Sequence, residues 1–350
     1  MKIKVLVIDD SAFMRKLITD ILNSDEDIEV VDTAKNGKEG IEKAIKLKPD
    51  VITLDVEMPI MDGITALKEM SSKNINIPVL MLSSLTSEGA DATIKALEYG
   101  AIDFITKPTN IFKLDANEKK NEIIEKIRMA SKTKLKGNYG LKQINVSKRK
   151  STKVISKDGN YDYVVAIGTS TGGPRALQSV VPKFPDDLNA TYIIVQHMPP
   201  GFTKSLADRL DTMSNLNVKE AEDGELLLRG YCYVAPGSKQ LILKKKGNDW
   251  VIDLSKTEKV SGHCPSVDVL MDTVSEVNNK KVIGVMMTGM GADGAIGMKK
   301  LRMKKGYTIA QDEQSCVVYG MPKSAVLNDA VDKIVTLDDI ALEVIKKIKS

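Results

Sequence analysis

The chain has 350 residues, 42% hydrophobic and 28% charged, room for two cores of ordinary globular composition. Its first apolar run, Val5–Ile8, is cut at once by Asp9 and Asp10, too short for a signal peptide or a membrane span. Three cysteines (Cys232, Cys264 and Cys316) without C-x-x-C spacing argue against a disulfide framework or a zinc site, so a reducing, cytoplasmic setting is expected.

The net charge of +4 is local. Eleven of the 51 basic residues fall between Lys126 and Lys157, where there is no Asp or Glu, leaving 40 basic against 47 acidic residues elsewhere. A nucleic-acid-binding domain would carry the excess on its folded part, so no nucleic-acid partner is expected. The stretch reads as a solvated linker, which divides the chain into a domain at 1–130, a linker at 131–158 and a second domain at 159–350.

The first domain alternates short strands with amphipathic helices. The strands are "KIKVLVID", "EVVDTA", "DVITLD", "PVLMLS" and "IDFIT", and helices begin near Ala12, Gly37, Gly63, Gly89 and Asp115. Five βα units imply a parallel sheet covered on both faces, with ligands at the carboxyl ends of its strands. Strand one ends in Asp9 and Asp10, strand three in Asp55, strand four in Ser83-Ser84 and strand five in Lys107-Pro108. Three carboxylates converging on one edge repel each other unless a divalent cation joins them, and Mg²⁺ suits such oxygen ligands. With a hydroxyl and a lysine added, the set reads as a phosphoryl site.

These motifs, with "TLDVEMPIMDG" and "TKP", resemble the flavodoxin-like (βα)₅ receiver domain of bacterial response regulators. The resemblance implies Asp55 as phospho-acceptor, Asp9, Asp10 and the Glu57 backbone carbonyl around Mg²⁺, and Ser83 and Lys107 on the phosphoryl group. It places Phe104 at the aromatic switch position without a tyrosine hydroxyl, and it implies a cis Lys107–Pro108 bond.

The second domain again reads as doubly wound, mostly parallel α/β. Buried strands are expected at "YVVAIGTS", "ATYIIVQH" and "KVIGVMMTG", followed by "YTIAQD" and "KIVTL". The stretch "LRGYCYVAPGSKQLILKKKGNDWVIDLS" alternates and turns at Gly237 and Gly247-Asn248, so an antiparallel ribbon is expected there. Within "YVVAIGTSTGGPRAL", Gly168, Ser170 and Gly172 form G-x-S-x-G, read either as a nucleophile elbow or as a backbone cradle for phosphate. The cradle lacks the second glycine of G-x-G-x-x-G and has no Gly-Lys-Ser/Thr, whereas Pro174 puts Ser170 above a helix start whose free N–H groups suit an oxyanion.

A nucleophilic serine needs a base and a group to orient that base. The chain has two histidines. His197 ends its strand as Ser170 ends its own, and Asp293 follows a third, so all three reach one edge if the strands are parallel. His263 precedes a helix and is the poorer base, a pocket or structural residue. The order Ser…His…Asp differs from that of α/β-hydrolases, so that fold is not expected.

The patterns "GTSTGGP", "IVQHMP", "SGHCPSVDVL", "MTGMGADGA" and "AQDEQSCVVYGMP" behind a receiver resemble the chemotaxis protein-glutamate methylesterases, across both domains but not the linker. The family often carries a basic residue at the position of Cys264. The resemblance implies a Ser170–His197–Asp293 triad, oxyanion contacts from Thr171 and Met290, glutamine deamidation besides ester hydrolysis, a histidine kinase as phosphodonor and methyl-accepting chemoreceptors as substrates. The esterase step needs no cofactor on this reading, and no membrane insertion is expected. The rival reading is a receiver joined to a non-catalytic module that binds a partner or nucleotide.

Overall fold

The computed structural model describes residues 2–108, 116–133 and 161–350. The chain divides into two compact units, Met1–Asn145 and Val146–Ser350. Among the described residues no helix is long and apolar enough to cross a membrane.

In the first unit, β1 (Ile3–Ile8), β2 (Ile28–Ala34), β3 (Val51–Asp55), β4 (Val79–Ser83) and β5 (Asp103–Thr106) form one parallel sheet in the order β2-β1-β3-β4-β5. The near-continuous burial of β1, β3, β4 and β5 is what a parallel sheet covered on both faces requires. Helices α1 (Ala12–Asn23) and α5 (Ala116–Lys132) pack on each other, and α2 (Gly37–Leu47), α3 (Gly63–Ser72) and α4 (Ser87–Glu98) form a second row. Helix α4 starts two residues before Gly89, because the Thr86 side chain caps it by accepting from the Gly89 N–H. The basic stretch also begins inside a helix: Lys126 and Arg128 belong to α5, where they pair with Asp103 (3.0 Å) and Asp25 (2.8 Å). The rest of the expected linker lies outside the described residues beyond Thr133.

In the second unit, seven strands form a single parallel sheet, all pairings running the same way. They are β6 (Tyr163–Thr169), β7 (Ala190–Gln196), β8 (Asn217–Glu220), β9 (Tyr231–Val234), β12 (Lys281–Met286), β13 (Tyr307–Gln311) and β14 (Lys333–Val335), ordered β14-β13-β12-β6-β7-β9-β8. The order reverses beside β6, with β7 on one side and β12 on the other, which opens a crevice at the carboxyl ends. The antiparallel ribbon is smaller than expected: only β10 (Ile242–Lys246) and β11 (Asp249–Asp253) form it, turning at Gly247-Asn248. "YCYV" is instead β9, drawn into the large sheet between β7 and β8. The cis peptide bond among the described residues is Cys264–Pro265; Lys107–Pro108 is not cis.

Helix α6 (Gly173–Val180) begins one residue before Pro174, with Gly172 as its cap at φ 77°. Helices α7 (Phe202–Met213), α8 (Val267–Ser275), α9 (Ala295–Met303), α10 (Met321–Leu327) and α11 (Ile340–Lys349) complete the unit. The first glycine of G-x-S-x-G has a steric reason. A Cβ on Gly168 would stand 2.2 Å from Val267 Cγ1, so only glycine lets the first turn of α8 lie against the end of β6. Gly168→Ala is therefore expected to destabilise the second unit by about 1–3 kcal/mol through overpacking. Denaturant unfolding read by the single tryptophan, Trp250, checks this, and adding Val267→Ala should recover part of the loss. Unchanged stability in Gly168→Ala would show that α8 can yield.

Candidate functional site

Each unit gathers its polar chemistry at the carboxyl edge of its sheet. In the first unit, carboxylate oxygens of Asp9, Asp10 and Asp55 lie within 4.8 Å of one another, with Asp9 and Asp55 buried and Asp10 exposed. Lys107 Nζ reaches both buried groups, 2.7 Å from Asp55 Oδ2 and 2.9 Å from Asp9 Oδ2. The acidic loop is held from behind by Arg15 of α1, whose Nη1 donates to the carbonyls of Asp9 (2.7 Å) and Asp10 (2.9 Å). No sequence pattern signals this role for Arg15, since it depends on the first turn of α1 facing back over the loop.

A cleft of about 450 Å³ opens here, lined among others by Asp10, Asp55, Glu57, Ser84 and Lys107. Burial, then the charge of Asp9, pushes the Asp55 carboxyl up to about 6, against the opposing pull of Lys107. Burial would lower Lys107, but its bonds to Asp55 and Asp9 outweigh that and leave it raised. One lysine against three carboxylates leaves an excess of negative charge, and the oxygen-only donor set fits Mg²⁺. The Ser83 side chain is turned away from the cleft. Its hydroxyl is buried under α4, accepting from Thr93 Oγ1 (2.7 Å) within donating distance of the Gly89 carbonyl (3.2 Å), and Ser84 lines the cleft in its place. Phe104 is buried on β5, its carbonyl accepting from Lys126 Nζ at 2.6 Å.

In the second unit, the register Thr169↔Gln196 makes Ser170 and His197 the next residues of adjacent parallel strands. The His197 N–H donates to the Thr169 carbonyl (3.2 Å) and the Ser170 N–H to the Thr288 carbonyl (3.0 Å), lacing the ends of β6, β7 and β12 together. Beyond β12 the chain returns Asp293 to the same edge. His197 Nε2 lies 2.7 Å from Asp293 Oδ2. The buried His197 Nδ1 has no hydrogen-bond partner. An ionised Asp293 only accepts, so in the neutral ring Nε2 carries the proton and the lone pair falls on Nδ1.

Asp293 is the best-supplied group in the site. Its Oδ1 accepts from Ser266 Oγ (2.8 Å) and the Asp268 N–H (3.1 Å), and its Oδ2 from the Val267 N–H (2.7 Å) besides His197. The donors other than His197 are the cap and first turn of α8, where the helix dipole favours an anion. Burial alone would raise this carboxyl, but the His197 bond and charge, the Val267 N–H and the Ser266 hydroxyl hold it at about 2. His263 comes to the same place, its ring stacked on that of His197 with centroids 3.9 Å apart and planes 4° from parallel. Burial, then the charge of His197, lowers its pKa to about 4.

Of the other expected residues, Thr171 is buried with its carbonyl accepting from Thr288 Oγ1 (3.0 Å), while Met290 is 37% exposed in the loop after β12. Sequence reasoning passed over Gln196, whose Nε2 donates to the carbonyls of Ser170 (3.0 Å) and His197 (3.2 Å). It also passed over Ser266, for which "SVDVL", a serine opening a helix, was the available signal.

A phospho-acceptor-type edge on a (βα)₅ unit, joined to an α/β unit carrying Ser, His and Asp at its own edge, defines a response regulator with a hydrolase-type output. The response regulator receiver domain model matches residues 5–117, and the CheB methylesterase model matches residues 165–344. The chain belongs to the CheB-type protein-glutamate methylesterase/protein-glutamine glutaminase family. A protein of that name from Pyrococcus horikoshii is 47% identical over 348 residues, covering 99% of this chain and 94% of the relative. Another from Halalkalibacterium halodurans is 47% identical, covering 99% of each. Among solved structures, the Thermotoga maritima CheB methylesterase catalytic domain is 43% identical with a TM-score of 0.52, covering 53% of this chain and 98% of that domain. A non-catalytic output module is not favoured by these relatives.

The charge on Asp293 has a thermodynamic consequence. Its pKa in the folded protein, about 2, lies below its ordinary value of 3.8, so its contribution is complete above the ordinary value and is lost as pH falls through about 2. Asp293→Asn should destabilise the second unit by about 2 kcal/mol near neutral pH, with the difference closing toward pH 2. Trp250-detected unfolding across that range is the measurement, and a difference independent of pH would assign the loss to packing instead.

Proposed function

We propose that this chain is a phosphorylation-controlled serine hydrolase that removes methyl groups from glutamate γ-methyl esters of chemoreceptors and deamidates receptor glutamines. The observation that carries the reading is the His197 Nε2–Asp293 Oδ2 contact of 2.7 Å beside the strand end that bears Ser170. Ser170 Oγ attacks the ester carbonyl carbon while His197 Nδ1 takes its proton, and Asp293 stabilises the imidazolium that forms. Backbone N–H groups at Thr171 and Met290 receive the oxyanion. Collapse of the tetrahedral adduct expels the methoxy group, which leaves as methanol with the His197 proton. Water, deprotonated by the same nitrogen, then frees the glutamate and Ser170. A glutamine side chain takes the same path and releases ammonia.

The receiver supplies the control. Asp55 is the phospho-acceptor, with Lys107 and, after turning out from under α4, Ser83 on the phosphoryl oxygens. Asp9, Asp10, Asp55 and the Glu57 carbonyl would hold Mg²⁺, which offsets phosphoryl charge when bound. A chemotaxis histidine kinase is the phosphodonor, and the protein works in the cytoplasm. Phosphorylation of the receiver relieves a restraint on the activity of the second unit.

Methanol release from methylated receptor membranes tests the triad. Ser170→Ala and His197→Ala should each lower turnover on the order of 10⁴-fold, roughly 5 kcal/mol, and the double variant should add little because triad members act as a unit. Independent, multiplying losses would break the triad reading. For control, a small acyl phosphate should label the protein only with Mg²⁺ present and raise esterase activity, and Asp55→Asn should lose both effects. A fragment from Ser156 to Ser350 should exceed the unphosphorylated full-length protein without any phosphodonor. A folded fragment that trails the intact protein would mean that the receiver activates directly.

A further inference from the structure

We propose that His263 is the positioning residue of the general base: its ring lies flat on the His197 ring and fixes the plane in which that ring offers Nε2 to Asp293 and Nδ1 to Ser170. The inference rests on the triad reading above. A histidine held only through Nε2 can still swing, because its second side-chain torsion is broad and roughly two-fold. A parallel ring with its centroid 3.9 Å away and its plane tilted by 4° forms a wall across the whole face and removes that freedom. No hydrogen bond supports His197 from its other nitrogen, so beyond Asp293 its orientation is left to packing, and the His263 ring covers one whole face.

The wall is itself built in. The His263 N–H and C=O both pair with Val260 at 2.9 Å, closing a small antiparallel bridge. The His263 carbonyl also accepts from Gln240 Nε2 (3.0 Å), and Gln240 Oε1 accepts from the Ser266 N–H (2.8 Å). Gln240 is buried. One amide thus ties the loop that carries the stacking ring to the cap residue that feeds Asp293, so both partners of His197 are referenced to a single point. Burial and the neighbouring His197 keep His263 neutral near pH 7, although Asp293 pulls the other way. A neutral ring adds no charge against the imidazolium formed when His197 takes the serine proton.

This role predicts that the flat face matters and the ring nitrogens do not. In the phosphorylated full-length protein, His263→Ala should lower kcat for methanol release about 10–100-fold, the scale of a small misplacement of a catalytic group, with KM nearly unchanged. His263→Leu, which keeps bulk without a flat face, should show much of the same defect. His263→Phe should restore kcat to within a few-fold of the parent. Fluorophosphonate labelling of Ser170 should follow the same order, and Trp250-detected unfolding separates a misplaced base from a misfolded unit. If His263→Phe is as impaired as His263→Ala while folded, the imidazole acts through its nitrogens and the positioning role is overturned; full activity in His263→Ala overturns it too. His197→Ala run alongside keeps the two readings apart, since activity in that variant would remove the triad whatever His263 does.

Discussion

The second unit is organised around a buried carboxylate placed at the start of a helix. Asp293 is almost fully removed from water, and an isolated charge there would be prohibitively costly. The cost is offset by donors that the fold has already committed: the Val267 and Asp268 N–H groups, which helix α8 cannot satisfy internally, and the Ser266 hydroxyl that caps it. Together with His197, these donors keep the carboxylate ionised. Its remaining lone pair is then free for His197. The nitrogen that His197 turns to Asp293, Nε2, follows from that arrangement.

The glycines around Ser170 make it possible. Val267 sits where a Cβ on Gly168 or on Gly294 would be 2.2 or 2.4 Å from its Cγ1. Both glycines therefore let the first turn of α8 descend onto the sheet edge, and it is that turn which meets Asp293. The G-x-S-x-G outline thus marks two separate constraints. Gly168 admits a helix, and Gly172 takes a left-handed conformation at φ 77° to start α6. Neither glycine is needed to cradle a phosphate.

Much of this was legible in the sequence, because a parallel sheet turns strand ends into addresses. Apolar runs closed by Asp9-Asp10, Asp55, Ser170 and His197 assign those residues to two sheet edges from the pattern alone. What the pattern did not carry was local. The strand "NVKE" is polar and lies at the sheet's edge, so β8 carries no apolar signature. "YCYV" alternates like a ribbon yet is claimed by β7 and β8 from either side. The Ser83 hydroxyl turns away from its cleft because Thr93 and Gly89 offer it partners under α4, which no strand pattern encodes. The stack of His263 on His197 depends on how a loop folds back through Val260 and Gln240, contacts far from His197 in sequence and invisible to periodicity.

The two units also show why position at a strand end does not by itself assign a role to an aspartate. Asp55 and Asp293 are both buried at the carboxyl edge of a parallel sheet, yet burial and Asp9 push one up to about 6 while fixed donors hold the other at about 2. The difference lies in what supplies the compensating charge. Asp293 is satisfied from within, by a helix start and a histidine, so it stays a fixed anion. Asp55 shares one lysine with a second buried carboxylate, with Asp10 beside them, so negative charge stays in excess at this edge. Such a site is stabilised by whatever brings positive charge to it from outside. That dependence makes Asp55 responsive to its surroundings, where Asp293 is insulated from them.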